Sequence, residues 1–318
     1  CSPRASRHWT WWSVGWAARR AACAGSGLPG EIPLVHTAHT LIEAYRHYLP
    51  LGGALPGGLV RAYLRRFLRP YRAVICPSSR IQGYLAAFLP GLPAEVIGNG
   101  LDRAGFDPGA CPAEVRERAR RAWSMGPDER LILYAGRLGK EKRVAELSAA
   151  LAPLLRARPG TRLLLAGCGP GRRSLEHAIA RAGLGSKVVL AGAQPWETMR
   201  DLYFAADVLA TASLSEVQPM TLIEAAMAGL PVVARRDQAT AAVVEDGVSG
   251  FLVDSDAEIA PRLAALLEDE EGRLRVSRAA LRHSRSFDLE IHVDRIEALY
   301  RRLLSRRDRA PGRRTAPS

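Results

Sequence analysis

Six short apolar runs, at residues 131–135, 162–166, 188–191, 208–211, 231–234 and 250–253, set the tightest limit on what this 318-residue chain can fold into. Each is four or five residues long and rich in Leu and Val. A strand with one face in water alternates apolar and polar residues. These runs do not alternate, so both faces must be covered, as in a parallel sheet flanked by helices. The intervening segments supply helices at 144–157, 172–182, 195–206, 220–228 and 259–267. In the first of them Leu147, Leu151, Leu154 and Leu155 fall on one stripe. The pattern predicts an α/β domain of the Rossmann-like kind.

The first hundred residues repeat the theme more sparsely. Strands are expected at 32–37, 73–76 and 94–97, with helices at 42–48 and 59–68. A complete doubly wound half has about five or six strands. A basic helix is expected at 113–123 and a final helix from 288.

Composition excludes other classes. The chain is 47% hydrophobic and 24% charged, with mean hydropathy −0.07, the balance of a globular protein. No stretch reaches the roughly 18 uncharged apolar residues of a membrane-spanning helix. The net charge of +13 directs the chain toward anions: phosphates, nucleic acid or anionic lipid. No helix-turn-helix, finger spacing or aromatic RNA platform accompanies that charge, so nucleic acid is not expected as a partner. The five cysteines, Cys1, Cys23, Cys76, Cys111 and Cys168, include no Cys-x-x-Cys, which fits a reducing compartment.

Three segments point to chemistry. After the run at 131–135 comes Gly136-Arg137-Leu138-Gly139-Lys140-Glu141-Lys142. Arg137 and Lys142 at the carboxyl end of a parallel strand suit a diphosphate; the alternative is solvated surface charge. Gly167-Cys168-Gly169-Pro170-Gly171 also leads from a strand into a helix. It lacks the Gly-x-Gly-x-x-Gly spacing and the later acid of a dinucleotide site. Its backbone N–H groups can still approach a phosphate, and the alternative is a tight turn. Third, Glu216 and Glu224 stand eight apart, one in the loop after a strand and one within the next helix. Carboxylates accept hydrogen bonds from sugar and ribose hydroxyls; the alternative is an acid near a helix N-terminus plus an ordinary helical Glu.

Four segments together carry a resemblance. They are Gly136-Arg137-Leu138-x-x-Glu141-Lys142, Gly167-x-Gly169-Pro170, Ser215-Glu216-x7-Glu224-Ala225-x-Met227-Ala228-Gly229-x-Pro231-Val232-Val233, and Glu245-x-Gly247-x-x-Gly250. They resemble the retaining glycosyltransferases of family 4, whose GT-B fold sets two Rossmann-like domains facing across a cleft. The likeness runs over residues 32–304 and is most specific over 131–253.

The resemblance implies roles. Arg137 and Lys142 match the pair that holds the donor diphosphate, Glu224 the acid on the nucleotide ribose, and Glu216 the acid near the donor sugar. Gly169 and Gln218 join them on the donor side. Val217-Gln218-Pro219 departs from the aromatic-Gly pattern of many members and looks like a lipid-glycosylating branch. Pro219 has no N–H to offer a phosphate. His39-Thr40, followed by Glu43, Tyr45, His47 and Tyr48, is similar to a stretch of diacylglycerol glucosyltransferases. There His39 matches a histidine that reaches the donor sugar, which makes His39 and Glu216 the catalytic candidates. A zinc reading of His36, His39 and His47 lacks a carboxylate or Cys beside them.

The expected organisation follows. Residues 1–108 form a partial N-terminal acceptor-side domain, 109–128 a connection, and 129–287 the C-terminal nucleotide-sugar-binding domain. A helix at 288–304 can return to the first domain, and 305–318 form a disordered basic tail. Nothing before Ile32 supplies the family's opening strand and Gly-rich loop, so the N-terminal domain is expected to be truncated. The expected reaction moves a hexose from a UDP- or GDP-linked sugar to a lipid or glycolipid, with no cofactor and no metal. A catalytically inactive nucleotide-sugar-binding remnant and a sugar-nucleotide epimerase are the alternatives. A basic amphipathic segment at 59–71 (Arg61, Arg65, Arg66, Arg69) suits peripheral contact with an anionic membrane from the cytoplasm; the alternative is a helix covering its own sheet.

Overall fold

The computed structural model describes residues 33–41, 57–106 and 112–308. The expected helix at 42–48, with Glu43, Tyr45, His47 and Tyr48, lies outside the described residues, as do Cys1, Cys23 and Cys111. The chain divides into two compact units, Cys1–Gly98 with Glu290–Ser318, and Asn99–Leu289.

The first unit contains a parallel sheet of β1 (Val35–Thr37), β2 (Ala73–Cys76) and β3 (Ala94–Val96) in that order. All four β2 residues are buried, as a central strand requires. Between β1 and β2 runs α1 (Gly57–Leu68), which buries Val60, Leu64 and Leu68 at i, i+4, i+8. Helix α2 (Ser79–Ala86) follows β2 and buries Ile81 and Leu85; at eight residues it is too short for its periodicity to stand out in sequence.

The second unit opens with α3 (Pro112–Ala122), the basic helix expected within a connection. Then come β4 (Arg130–Ala135), α4 (Val144–Ala157), β5 (Thr161–Ala166), α5 (Arg172–Arg181), β6 (Val188–Gly192), α6 (Trp196–Ala205), β7 (Val208–Thr211), α7 (Met220–Met227), β8 (Val232–Arg235), β9 (Phe251–Val253), α8 (Ile259–Glu268) and α9 (Glu270–His283). The sheet order is β6-β5-β4-β7-β8-β9, and every pairing is parallel. Counted within the sheet this is 3-2-1-4-5-6, the doubly wound order. Leu147, Leu151 and Leu155 of α4 meet Ile132, Leu163 and Leu165 on one face. Leu131, Leu133 and Leu164 meet Leu202, Leu222 and Ile223 on the other. Truncating one such Leu to Ala costs about 2–5 kcal/mol.

Asp207 explains why α3 belongs to this unit. Its side chain is 1% exposed, lies 2.8 Å from Arg116 and 3.5 Å from Arg120, both on α3, and accepts the Leu131 N–H at 2.7 Å. Arg116 also donates to the Phe204 and Ala206 carbonyls, both at 2.9 Å. Basic residues of a helix expected in a connection thus close the amino end of the sheet.

The chain re-enters the first unit as α10 (Leu289–Asp308), where Ile296, Leu299 and Leu303 pack on Ala73, Ile75 and Ile97. The tail expected to be disordered from 305 is a correction: the helix continues through Asp308. Arg is a good helix former, and the Ser305 hydroxyl donates to the Arg302 carbonyl at 3.1 Å. Helix α9 was not anticipated, since only Gly272, Val276, Ala279 and Ala280 are buried along it. Asp269 starts it by accepting the Gly272 N–H at 2.7 Å. Among the described residues no helix is long and apolar enough to cross a membrane.

Candidate active site

The order of the six-stranded sheet reverses between β4 and β7. Connections from these two strands leave in opposite directions, which opens a crevice at their carboxyl ends. The loops at that point are 136–143 and 212–219, so sheet topology alone puts Arg137, Lys142, Glu216 and Gln218 at the reversal.

The loop after β4 is shaped by the loop after β5. The Leu138 side chain is buried, its N–H donates to the Cys168 carbonyl at 3.0 Å, and its carbonyl accepts the Gly171 N–H at 2.8 Å. A Cβ on Gly167 would stand 1.8 Å from the Gly136 carbonyl oxygen, and one on Gly169 would stand 2.4 Å from that of Leu138. Two backbones therefore pass where only glycine fits. This close approach gives Gly169 a structural reason to be glycine, separate from the phosphate contact expected of it.

Lys142 and Glu216 join the two switch-point loops. The Lys142 Nζ donates to Oε1 of Glu216 at 2.7 Å and to Oε2 at 2.8 Å. Their side chains are 17% and 16% exposed. Beside them the Ser215 hydroxyl donates to the Glu141 carbonyl at 3.0 Å. Below, the buried Tyr134 hydroxyl donates to the Arg137 carbonyl at 2.9 Å. Burial first, then Glu216 and Glu141, push the Tyr134 phenol up, so it stays protonated as a donor. Tyr134 thus lies against the Arg137 backbone and near the carboxylates of Glu141 and Glu216. Lys142, expected to hold a diphosphate, and Glu216, expected near the donor sugar, are paired with each other.

Glu224 lies further along, on α7. Pro219 opens this helix, and a left-handed Gly229 at φ +69° closes it. There the Leu230 N–H donates to the Ala225 carbonyl at 2.8 Å and the Gly229 N–H to that of Ala226 at 3.1 Å, a Schellman ending. Ala225 and Met227 are buried, which accounts for the small and apolar positions after Glu224. The Glu224 carboxylate accepts from the Tyr203 hydroxyl of α6. Burial raises the Glu224 pKa, and the tyrosine bond pulls it partly back. Gln218 turns elsewhere: its Oε1 accepts the Asn99 N–H at 2.7 Å.

His39 stands in the first unit, just beyond β1. Burial, then the nearby His292, lower its pKa; burial, then His39, lower that of His36. His36 packs 5.3 Å from both Phe67 and Tyr71. His292 Nδ1 lies 2.6 Å from the Gly98 carbonyl, which makes Nδ1 the protonated nitrogen, since a carbonyl only accepts. His47 lies outside the described residues; among those described, no three His, Cys, Asp or Glu side chains could hold a metal ion. Sequence reasoning passed over Tyr134, Tyr203 and His292. Tyr134 and Tyr203 each sit within apolar segments and read as core, and His292 lies more than two hundred residues from its partner His39.

A doubly wound sheet with charged groups at its switch point defines a Rossmann-like α/β domain with a ligand crevice at the carboxyl ends of its strands. The chain belongs to the glycosyl transferases group 1 family, whose model matches residues 115–283. The model described as Glycosyltransferase Family 4 matches residues 6–104. The chain is 32% identical over 313 residues to the D-inositol 3-phosphate glycosyltransferase of Segniliparus rotundus, covering 94% of this chain and 66% of that protein. It is 29% identical over 240 residues to the alpha-monoglucosyldiacylglycerol synthase of Streptococcus pneumoniae, covering 75% and 53%. The chain therefore spans from about half to two thirds of these relatives. Sucrose-phosphate synthase from Thermosynechococcus elongatus matches in fold with a TM-score of 0.76 at 24% identity, covering 92% of this chain and 71% of that one. Anabaena HepE in complex with UDP-glucose matches with a TM-score of 0.72 at 24% identity, covering 85% and 72%.

Proposed function

We propose that this chain carries the donor site of a retaining hexosyltransferase, which moves a hexose from a nucleoside diphosphate sugar to a lipid or glycolipid. The observation that supports it most is the Lys142–Glu216 pair spanning the two loops of the switch point. In this reading Arg137 and Lys142 hold the diphosphate and Glu224 the ribose. Glu216 and His39 serve the sugar, and Gly169 and Gln218 shape the donor loops. Cations fixed beside the leaving diphosphate stabilise the charge that develops there. The UDP-glucose bound to HepE makes a uridine donor the first to try.

The diacylglycerol acceptor named for the Streptococcus relative supports a lipid here. So does α1, which exposes Leu59 at 58% and Tyr63 at 47% among Arg61, Arg65 and Arg66, with Arg69 just beyond its end, a surface suited to anionic headgroups. A second reading, an inositol phosphate acceptor, is supported by the longer match to the Segniliparus protein.

Calorimetry on the full chain with UDP, GDP, ADP, UDP-glucose and GDP-mannose tests the donor site. Transfer from radiolabelled donor to diacylglycerol, a monoglycosyl lipid and inositol phosphate then sorts the acceptors. The expected result is saturable binding of one nucleotide-sugar, lost in Arg137→Ala, with label in the lipid fraction. No binding of any nucleotide overturns the reading, and binding without transfer to any acceptor replaces it with the inactive remnant.

A further inference from the structure

We infer that Glu216 makes this site discriminate against the bare nucleoside diphosphate, by occupying Lys142 until a sugar-bearing donor offers its carboxylate other partners. The inference rests on the donor reading above and adds a specificity-determining role to it.

The geometry is that of an internal competitor. Lys142 gives hydrogen bonds to both Glu216 oxygens, at 2.7 and 2.8 Å. The two side chains are largely withdrawn from water. Exposed ion pairs contribute little because they lose side-chain entropy and are screened. This pair is restrained on both sides, since the adjacent residues Ser215 and Glu141 are themselves hydrogen bonded at 3.0 Å. A diphosphate reaching for Lys142 finds it neutralised. To take the ammonium it must displace a carboxylate that then remains nearby, without its cation and beside a new anion.

What happens next depends on what the diphosphate carries. A linked sugar presents hydroxyl donors, and a carboxylate is an acceptor only. The freed Glu216 can therefore recover its lost hydrogen bonds from the sugar of an intact donor. A nucleoside diphosphate without sugar offers nothing to Glu216, so its binding bears the whole cost of breaking the pair. After transfer the product is that bare diphosphate, and recapture of Lys142 by Glu216 favours its departure. Product release limits turnover in many enzymes.

The test compares UDP with UDP-glucose, and GDP with GDP-mannose if guanosine is the base that binds. Calorimetry is run on wild type, Glu216→Gln, Lys142→Met and the double variant. Glu216→Gln is expected to bind the bare diphosphate about tenfold more tightly, the scale of a partly buried ion pair. The nucleotide-sugar should gain less or lose affinity, so the preference for it shrinks. In the Lys142→Met background the substitution at 216 should tighten bare diphosphate binding by clearly less than in wild type, since it then relieves only the repulsion between carboxylate and diphosphate. Unchanged or weaker diphosphate binding in Glu216→Gln, with wild type binding normally, overturns the inference and leaves the donor reading standing. Equal tightening in both backgrounds also overturns it, since the effect then does not pass through Lys142. If wild type binds no nucleotide, the donor reading fails and takes the inference with it. Thermal melting confirms that each variant is folded. Glu216→Asp, which shortens the reach to Lys142, should shift affinity in the same direction by less.

Discussion

The hydroxyl of Tyr203, buried beneath α7, donates to the carboxylate of Glu224. Burial raises the Glu224 pKa above its ordinary 4.5. A carboxyl that holds its proton more tightly folded than unfolded stabilises the fold at pH below the unfolded value. That contribution is lost as pH rises through the folded value. Glu224→Gln cannot ionise, so its denaturant midpoint should gain on wild type as pH goes from about 4 to 7. The same substitution removes a charged acceptor and should weaken binding of a ribose-bearing nucleotide by about tenfold or more. A stability gap that does not change with pH would count against burial as the dominant influence.

Asp207 pairs with Arg116, Arg120 and Arg130, at 2.8, 3.5 and 3.6 Å. Asp207→Asn keeps the shape and removes the charge that these guanidinium groups share. Breaking such a buried arrangement by altering one member costs about 3–5 kcal/mol. Urea unfolding should show that loss, whereas Arg118→Ala, whose exposed side chain lies 3.1 Å from Asp201, should change stability by less than about 1 kcal/mol.

Gly167 and Gly183 separate two reasons for a glycine. Both have positive φ, +148° and +65°. A Cβ on Gly183 meets nothing within 4 Å, while one on Gly167 meets the Gly136 carbonyl oxygen. Gly183→Ala should cost only the left-handed preference, about 1–2 kcal/mol. Gly167→Ala must also push apart the loops after β4 and β5. It should cost more than the Gly183 variant and, by moving Arg137, weaken nucleotide binding as well. Equal losses in the two variants would show that the loops separate freely.

The strands of the six-stranded sheet were legible because both of their faces are covered, so their apolar runs stand unbroken between polar loops. Helix α4 was legible at both ends, since its leucines line one stripe that packs on the sheet. Helix α9 was not, because three of its four buried residues are Gly or Ala, its Leu274 and Leu281 are exposed, and most of the rest is charged. In the site, Arg137, Lys142, Glu216 and Glu224 could be picked out by chain position relative to strand ends. Their partners could not. Nothing local in the sequence ties Lys142 to an acid seventy-four residues on, or Glu224 to a tyrosine that reads as core. Pairing across loops is decided by strand order, which spacing along the chain does not encode.

Burial, then His292, lowers the pKa of His39, and burial, then His39, lowers that of His36. Both His36 and His39 therefore favour the neutral form in the folded chain. A histidine with a depressed pKa stabilises the fold above its unfolded value of about 6.5 and loses that contribution as pH falls toward the folded value. His292→Gln keeps a hydrogen-bond donor for the Gly98 carbonyl but cannot carry charge. The expected result in an NMR titration of the imidazole resonances is an upward move of the His39 midpoint, still short of the unperturbed value because burial remains. The His36 midpoint should hardly move. If His39 acts on the donor sugar in its neutral form, the acid limb of the transfer rate should move to higher pH in His292→Gln by the same amount as the NMR midpoint. A moved midpoint with an unmoved rate profile would remove neutral His39 from the rate-limiting step.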